Sequence, residues 1–279
     1  TKIASIFVIV VPMLLVFLQN DTGSALVFAS FVFVLFREGL SAYVLVFGAA
    51  LIVLFVSALL IDKYILVAIL FALCLVAWLV IKRKSHRTKV WLFLVCFLIS
   101  SAVVFAVDVV FDKGLEQHQK DRIEVLLGKK EDLKGVGYNV NQSKIAIGSG
   151  GFLGKGFLNG TQTKYNFVPE QDTDFIFCTI GEEWGFVGSS ITIILFLTLC
   201  IRLVKMAERQ RSKFARIYGY GVASIIFFHF FVNIGMTIGL LPVIGIPLPF
   251  ISYGGSSLWA FTLLLFIFIR QDASRLELI

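Results

Sequence analysis

The chain has 279 residues, of which 58% are hydrophobic and 29 are phenylalanine, and its mean hydropathy is +0.91. Soluble domains carry about 45–50% apolar residues, so this composition excludes a soluble globular enzyme and points to a polytopic membrane protein. The net charge of +7 does not imply nucleic acid, because the basic residues lie in connections between apolar runs, where the positive-inside bias puts them.

Eight apolar segments follow in chain order, at about 3–18, 23–36, 41–61, 64–81, 90–111, 175–204, 217–241 and 250–269. A bilayer span needs roughly 17–25 such residues. The expected fold is therefore an all-α polytopic membrane protein with about eight transmembrane helices in one transmembrane domain, 1–279. The first two segments are short and joined only by Gln19-Asn20-Asp21-Thr22. The chain opens on TKIASIF, without an initiator Met or a signal-peptide pattern, as expected of a piece of a larger protein.

Charge orients the segments. Lys82, Arg83, Lys84, Arg87 and Lys89 fill one connection, and Arg202, Lys205, Arg209, Arg211, Lys213 and Arg216 fill another; Arg270 and Arg275 follow the last segment. Eight crossings put these clusters, Lys2 and Arg37 on one face, the cytoplasm, and leave only Lys63 in the short loops opposite. The same parity puts the C-terminus inside and the long stretch 112–173 outside. That stretch holds nine Lys/Arg and eight Asp/Glu, and its many apolar residues argue for an ordered loop rather than a solvated linker. The four cysteines lack CxxC spacing and read as small apolar fillers.

Within the loop, QSKIAIGSGGFLGKGFLNGTQ (142–162) has six glycines in 21 residues. Lys144 and Lys155 supply point charges suited to phosphate, yet the run fails the P-loop pattern at Ser149 and Gly156. It reads equally as a phosphate cradle or as a glycine-rich packing loop. Next comes VPEQDTDFIF, with Glu170, Asp172 and Asp174 at the threshold of a long apolar helix. Thr173 is expected to cap that helix, with Asp174 in its first turn. Capping does not explain the acids further in. Spacings of four, seven and eight put Asp174, Cys178, Gly181 and Glu182 on one face, and ionisable groups in a span mark functional sites. Last, LLPVIGIPLPFISYGGSS (240–257) has three prolines and three glycines; its free backbone must pack on protein or line a wet cavity. His229 and Asn233 in the preceding helix are expected to satisfy neighbours rather than bind metal. Asp21 and Asp108 read as solvated caps or as cavity walls.

These four runs (QSKIAIGSGGFLGKGFLNGTQ, FVPEQDTDFIF, GEEWGFVG and GIPLPFISYGGSS), in this order and spacing, resemble the SEDS (shape, elongation, division and sporulation) family, on its RodA-like side. The likeness runs from about residue 8 to the last segment. It implies a peptidoglycan glycosyltransferase that polymerises lipid II into glycan strands at the outer face of the bacterial cytoplasmic membrane, in complex with a class B penicillin-binding protein. The family's essential aspartate falls on Asp174. By implication Arg122, Lys144, Lys155, Glu170 and Glu183 contact substrate, the cations meeting the pyrophosphate. Asp174 would serve as general base or as a ligand to a divalent cation, magnesium or manganese; the residues do not choose. A lipid-linked precursor flippase is the alternative, since polar residues and helix breakers inside spans suit a transporter. Segments 64–81 and 90–111 form a hairpin beyond the family's usual pattern, and His118-Gln119 and Gly128-Lys129 depart from its loop sequence.

Overall fold

The computed structural model describes all residues except 1, 20, 81–85, 110, 112–116, 129–135 and 277–279. The basic run Lys82–Lys84 and Lys129 lie outside the described residues. So do the side chains of Lys2, Arg87, Lys89, Asp108 and His118. In chain order the helices are α1 (Lys2–Leu18), α2 (Thr22–Ala29), α3 (Val32–Arg37), α4 (Ala42–Leu60), α5 (Lys63–Val80), α6 (His86–Val109), α7 (Gln117–Leu126), α8 (Val136–Ser149), α9 (Thr161–Lys164), α10 (Ile176–Glu208), α11 (Lys213–Thr237) and α12 (Gly255–Ala273). Each apolar segment of the sequence contains helix among its described residues, but α11 ends at Thr237 and α12 begins only at Gly255, short of the expected 217–241 and 250–269. Among the described residues, three helices are long and apolar enough to cross a membrane, α4, α10 and α11. The contacts divide the chain into two compact units, Thr1–Leu40 with Gly128–Ile279, and Ser41–Leu127.

In the first unit, the segment expected as one span at 23–36 is two short helices. The chain stays in the right-handed region at Ser30 and Phe31, but the bonds there tighten to i→i+3, with Phe33 N donating to Ser30 O at 3.1 Å. The break is thus a local 3₁₀ turn rather than a reversal. Asp21 caps α2, accepting from Ser24 N at 2.9 Å, and the Ser24 hydroxyl and amide together hold its carboxyl below the usual range. Helices α3 and α11 both stop at a left-handed glycine, Gly39 (φ +97°) and Gly239 (φ +73°). Leu40 N bonds Leu35 O, and Leu240 N bonds Gly235 O, the backward bonds of a Schellman stop, which need a left-handed residue at that point.

The core of this unit lies between α10 and α11, with α3 and α12 against it. Phe196 stacks on Phe230 with centroids 5.0 Å apart, and Leu203, Ala207, Val222, Ile226 and Phe268 are buried around them. Gly219 lets α11 approach Phe268 and Ala207, where a Cβ would collide with both. At one end, polar groups tie the helices together. Arg37 meets Glu208 at 2.5 Å and Tyr220 Oη at 2.9 Å, Arg216 meets Glu38 at 3.0 Å, and Arg209 and Arg275 both reach Asp272.

The second unit is built of α4 to α7. Asp62 Oδ1 accepts from Tyr64 N at 2.9 Å at the start of α5, and α5 packs on α6 through an edge-to-face pair of Phe71 and Phe97. Much of α4 and α5 is exposed and apolar, for example Val46, Phe47, Ile52 and Phe71. Surface of this kind and extent needs lipid or protein around it.

Candidate functional site

The long helix α10 is not continuous. Gly185 adopts φ 62°, ψ −155°, which breaks the ladder and frees backbone groups on both sides. The glycine-rich loop after α8 bonds four of them. Lys155 N donates to Glu182 O at 3.0 Å and Gly156 N to Glu183 O at 2.9 Å. In return Phe186 N donates to Gly151 O at 2.9 Å and Val187 N to Phe152 O at 3.2 Å. Freed amides and carbonyls cannot face hydrocarbon unpaired, so the break and the loop require each other. The glycines make the approach possible: a Cβ on Gly154 or Gly185 would run into the opposite backbone, and both sit at positive φ.

Glu182 fastens the same loop from below. It is fully buried, with Lys155 Nζ at 2.7 Å, Gln162 N at 2.9 Å and Thr163 N at 2.9 Å from its carboxylate. One cation and two backbone amides satisfy a charge that would otherwise be costly to bury. Lys155, expected to face a phosphate, therefore has its ammonium drawn inward onto Glu182 and Thr161. The expected polar stripe of Asp174, Gly181 and Glu182 does not form. Asp174 precedes the helix and so is out of its phase, Cys178 is buried against Ala146 and Val168, and Gly181 lies against Ile147 of α8.

The acidic run 170–174 is a series of turns. Thr173 does not cap α10, whose N-cap is Phe175 without a side-chain bond; its hydroxyl bonds Glu170 Oε2 at 3.0 Å instead. Proline at 169 and the left-handed Glu170 (φ 55°) turn the chain before helix can start. The helix thus begins two residues later than expected, and Asp174 is released from the helical first turn.

The acidic run is held by the proline-rich run 240–253 and by α11. Tyr253 N donates to Asp172 O at 2.8 Å, Ser252 Oγ to Thr173 O at 2.7 Å, and Asn233 Nδ2 to Asp174 O at 2.8 Å. The free backbone of that run is thus packed on protein, one of the two placements expected of it. Gly245 (φ +76°) leaves room for the carboxylate, since a Cβ there would sit 3.3 Å from Asp174 Oδ2. On the other side, Gly23 lets α2 lie against Ile244 and Ile246. Asp174 itself is half-buried, at the meeting point of α2, α10, α11 and this run. As expected, His229 and Asn233 serve neighbours: His229 Nδ1 lies 3.2 Å from Pro247 O, and Asn233 Nδ2 also donates to Ile246 O at 2.8 Å.

Of the remaining residues singled out in the sequence, Lys144 is exposed on α8 with its ammonium over Gly239. Glu170 is exposed, and Glu183 is buried with its carbonyl on the loop. Arg122 lies on α7 of the second unit. Among the described residues, no three His, Cys, Asp or Glu side chains group to hold a metal ion, so Asp174 offers one carboxylate and no cage. Sequence reasoning missed Ser252 as an anchor of the acidic run, although its place beside the helix-breaking prolines was a signal that polar groups there must find backbone partners.

An all-helical membrane chain with a carboxylate held at a helix start by a proline-rich run is the class that the fold and site define. The sequence profile of the FtsW, RodA and SpoVE cell cycle proteins matches residues 49–276, and the chain belongs to that family. It is 48% identical over 144 residues to the peptidoglycan glycosyltransferase MrdB of Escherichia coli strain K12, a match covering 52% of this chain and 39% of the relative. It is 41% identical over 180 residues to the MrdB of Helicobacter pylori strain J99, covering 64% of this chain and 44% of the relative. These matches thus take in less than half the length of either relative. A chain in a solved peptidoglycan synthase complex, described for its coordination of polymerization and crosslinking, aligns with a TM-score of 0.59 at 28% identity, over 94% of this chain and 58% of that one.

Proposed function

We propose that this chain carries the catalytic site of a peptidoglycan glycosyltransferase that polymerises lipid II, with Asp174 as its general base. One observation carries the reading: a half-buried carboxylate stands in a gap left by Gly245, its own carbonyl held by Asn233 and those of the two preceding residues by Ser252 and Tyr253. An ionised Asp174 takes the proton from the acceptor sugar hydroxyl as that oxygen attacks the anomeric carbon of the growing strand. The bond to the lipid pyrophosphate breaks, and the leaving group's charge needs a cation nearby. Lys144, exposed on α8, is the candidate for that contact. Glu170, exposed in the acidic run, is a candidate for the saccharide further out. Were a divalent cation to take part, Asp174 would supply one ligand to it.

In this reading the site opens at the outer face of the bacterial inner membrane, with the C-terminus in the cytoplasm. The lipid tails of both substrates stay in the bilayer while their headgroups meet at its surface. A class B penicillin-binding protein is the expected partner, since the complex aligned above couples polymerization with crosslinking.

A flippase has one observation in its favour, the broken helix α10, because discontinuous helices build transporter sites. Four of the backbone groups beside Gly185 are instead bonded to the chain's own loop, so the break serves to dock that loop. The test is the purified protein with its transpeptidase partner and labelled lipid II. Wild type yields long strands, and Asp174→Asn yields none with an unchanged melting temperature. Strand synthesis by the variant at the wild-type rate would falsify the assignment. A chelator arm reads the contribution of a metal, and translocation of fluorescent lipid II in vesicles reads the flippase.

A further inference from the structure

Three consecutive carbonyls, those of Asp172, Thr173 and Asp174, each accept a hydrogen bond from a different donor. Two of those donors are side chains. Ser252 is buried, and its hydroxyl both donates to Thr173 O and accepts from Leu248 N, each at 2.7 Å, so its single proton and an acceptor site are both committed. Asn233 is fully buried in α11 and bridges Asp174 O and Ile246 O, each at 2.8 Å. Both of its neighbours are carbonyl oxygens, so only the amide nitrogen can face them. The two clamps therefore join the acidic run, the proline-rich run and α11 at one point. Strain lies on both sides of it, with Glu170 (φ 55°) and Phe250 (φ 66°) held left-handed, a conformation that persists only where surroundings over-determine it.

We infer that Asn233 and Ser252 are positioning residues, whose hydrogen bonds to the backbone of 173–174 aim the Asp174 carboxylate at the acceptor hydroxyl. The inference rests on the reading of Asp174 as the base. Neither side chain touches substrate; each fixes the peptide from which the carboxylate projects. A carboxylate released from that peptide geometry still binds the same sugar but meets the proton less often. Misplacement on the order of 1 Å costs about a hundredfold in rate.

The test uses Asn233→Asp, which keeps the size and replaces the donor by an oxygen that repels both carbonyls, and Ser252→Ala with Ser252→Thr as rescue. Strand synthesis is followed against lipid II concentration, and hydrogen exchange is read peptide by peptide. N233D and S252A are expected to lower kcat about ten- to hundredfold with KM within about twofold. Exchange at 170–175 should rise while that of 186–208 stays unchanged. S252T should recover most of the rate. If N233D does not fold, S252A and S252T carry the test. Faster exchange at 170–175 with wild-type kcat would overturn the inference, as would a loss of kcat accompanied by faster exchange throughout the chain. An active D174N sinks the underlying reading instead, and it does so without reference to the exchange data.

Discussion

At Gly245 a single hydrogen atom decides how much space the Asp174 carboxylate has. A Cβ would stand 3.3 Å from Oδ2, and the backbone is at φ +76°, where an L side chain costs about 1 kcal/mol or more. Gly245→Ala is therefore expected to cut strand synthesis more than tenfold while lowering stability by only about 1–2 kcal/mol, measured as rate and melting temperature on one preparation. Gly185→Ala is the contrasting case. It adds strain at φ +62° and drives a methyl group into the backbone of Phe152 and Gly154, so its expected effect is loss of folded protein, read by size-exclusion chromatography. Two glycines with similar φ thus give different phenotypes because one faces a carboxylate side chain and the other a backbone wall.

Among the elements, loop 150–163 depends most on one side chain. Breaking a buried ion pair by neutralising one partner costs about 3–5 kcal/mol, and Lys155 is partly open to solvent, so Glu182→Gln should cost about 3 kcal/mol. Hydrogen exchange at 150–163 should rise, whereas exchange in α11 should not. How legible such elements are differs from case to case. The helices were readable because lipid-facing runs of apolar residues have no other stable conformation. Asp174 and the flanking glycines stood out because charge at the edge of an apolar run is costly. The start of α10 is not legible in the same way, because the pattern Thr173-Asp174 looks like a cap while Pro169 and the left-handed Glu170 commit the chain to turns. The partner of Glu182 was hidden for another reason. A lysine 27 residues away comes to it only through a loop whose path is set by Gly185, and a glycine inside an apolar run announces no direction. The three donors on 172–174 were equally unreadable, since they join segments about 60 and 80 residues apart.

For the molecule as a whole, stability rests on apolar helices that meet few partners within each unit and on polar ties at helix ends. Past the apolar end of α12, burial opposes ionisation of Asp272, but Arg209, Gln210 and Arg275 outweigh it and hold its carboxyl below the usual value. A folded-state value below the unfolded one gives stability that is present above the unfolded pKa, about 3.9, and is lost as pH falls through the folded value. Asp272→Asn should thus melt lower than wild type at pH 7 by an amount equivalent to about 1–2 kcal/mol. The gap should close below about pH 4. Equal melting temperatures at neutral pH would show that the tie contributes nothing.

The four backbone bonds between the glycine-rich turn and the interrupted helix also impose a rule of length. Each segment of that exchange counts residues against the other, so adding or deleting one residue between Phe152 and Lys155, or beside Gly185, throws one pair of bonds out of register with the other. Neither segment can drift alone. Viable changes in either are confined to substitutions, or to matched insertions in both, and homologous chains should keep the spacing fixed where the side chains themselves vary.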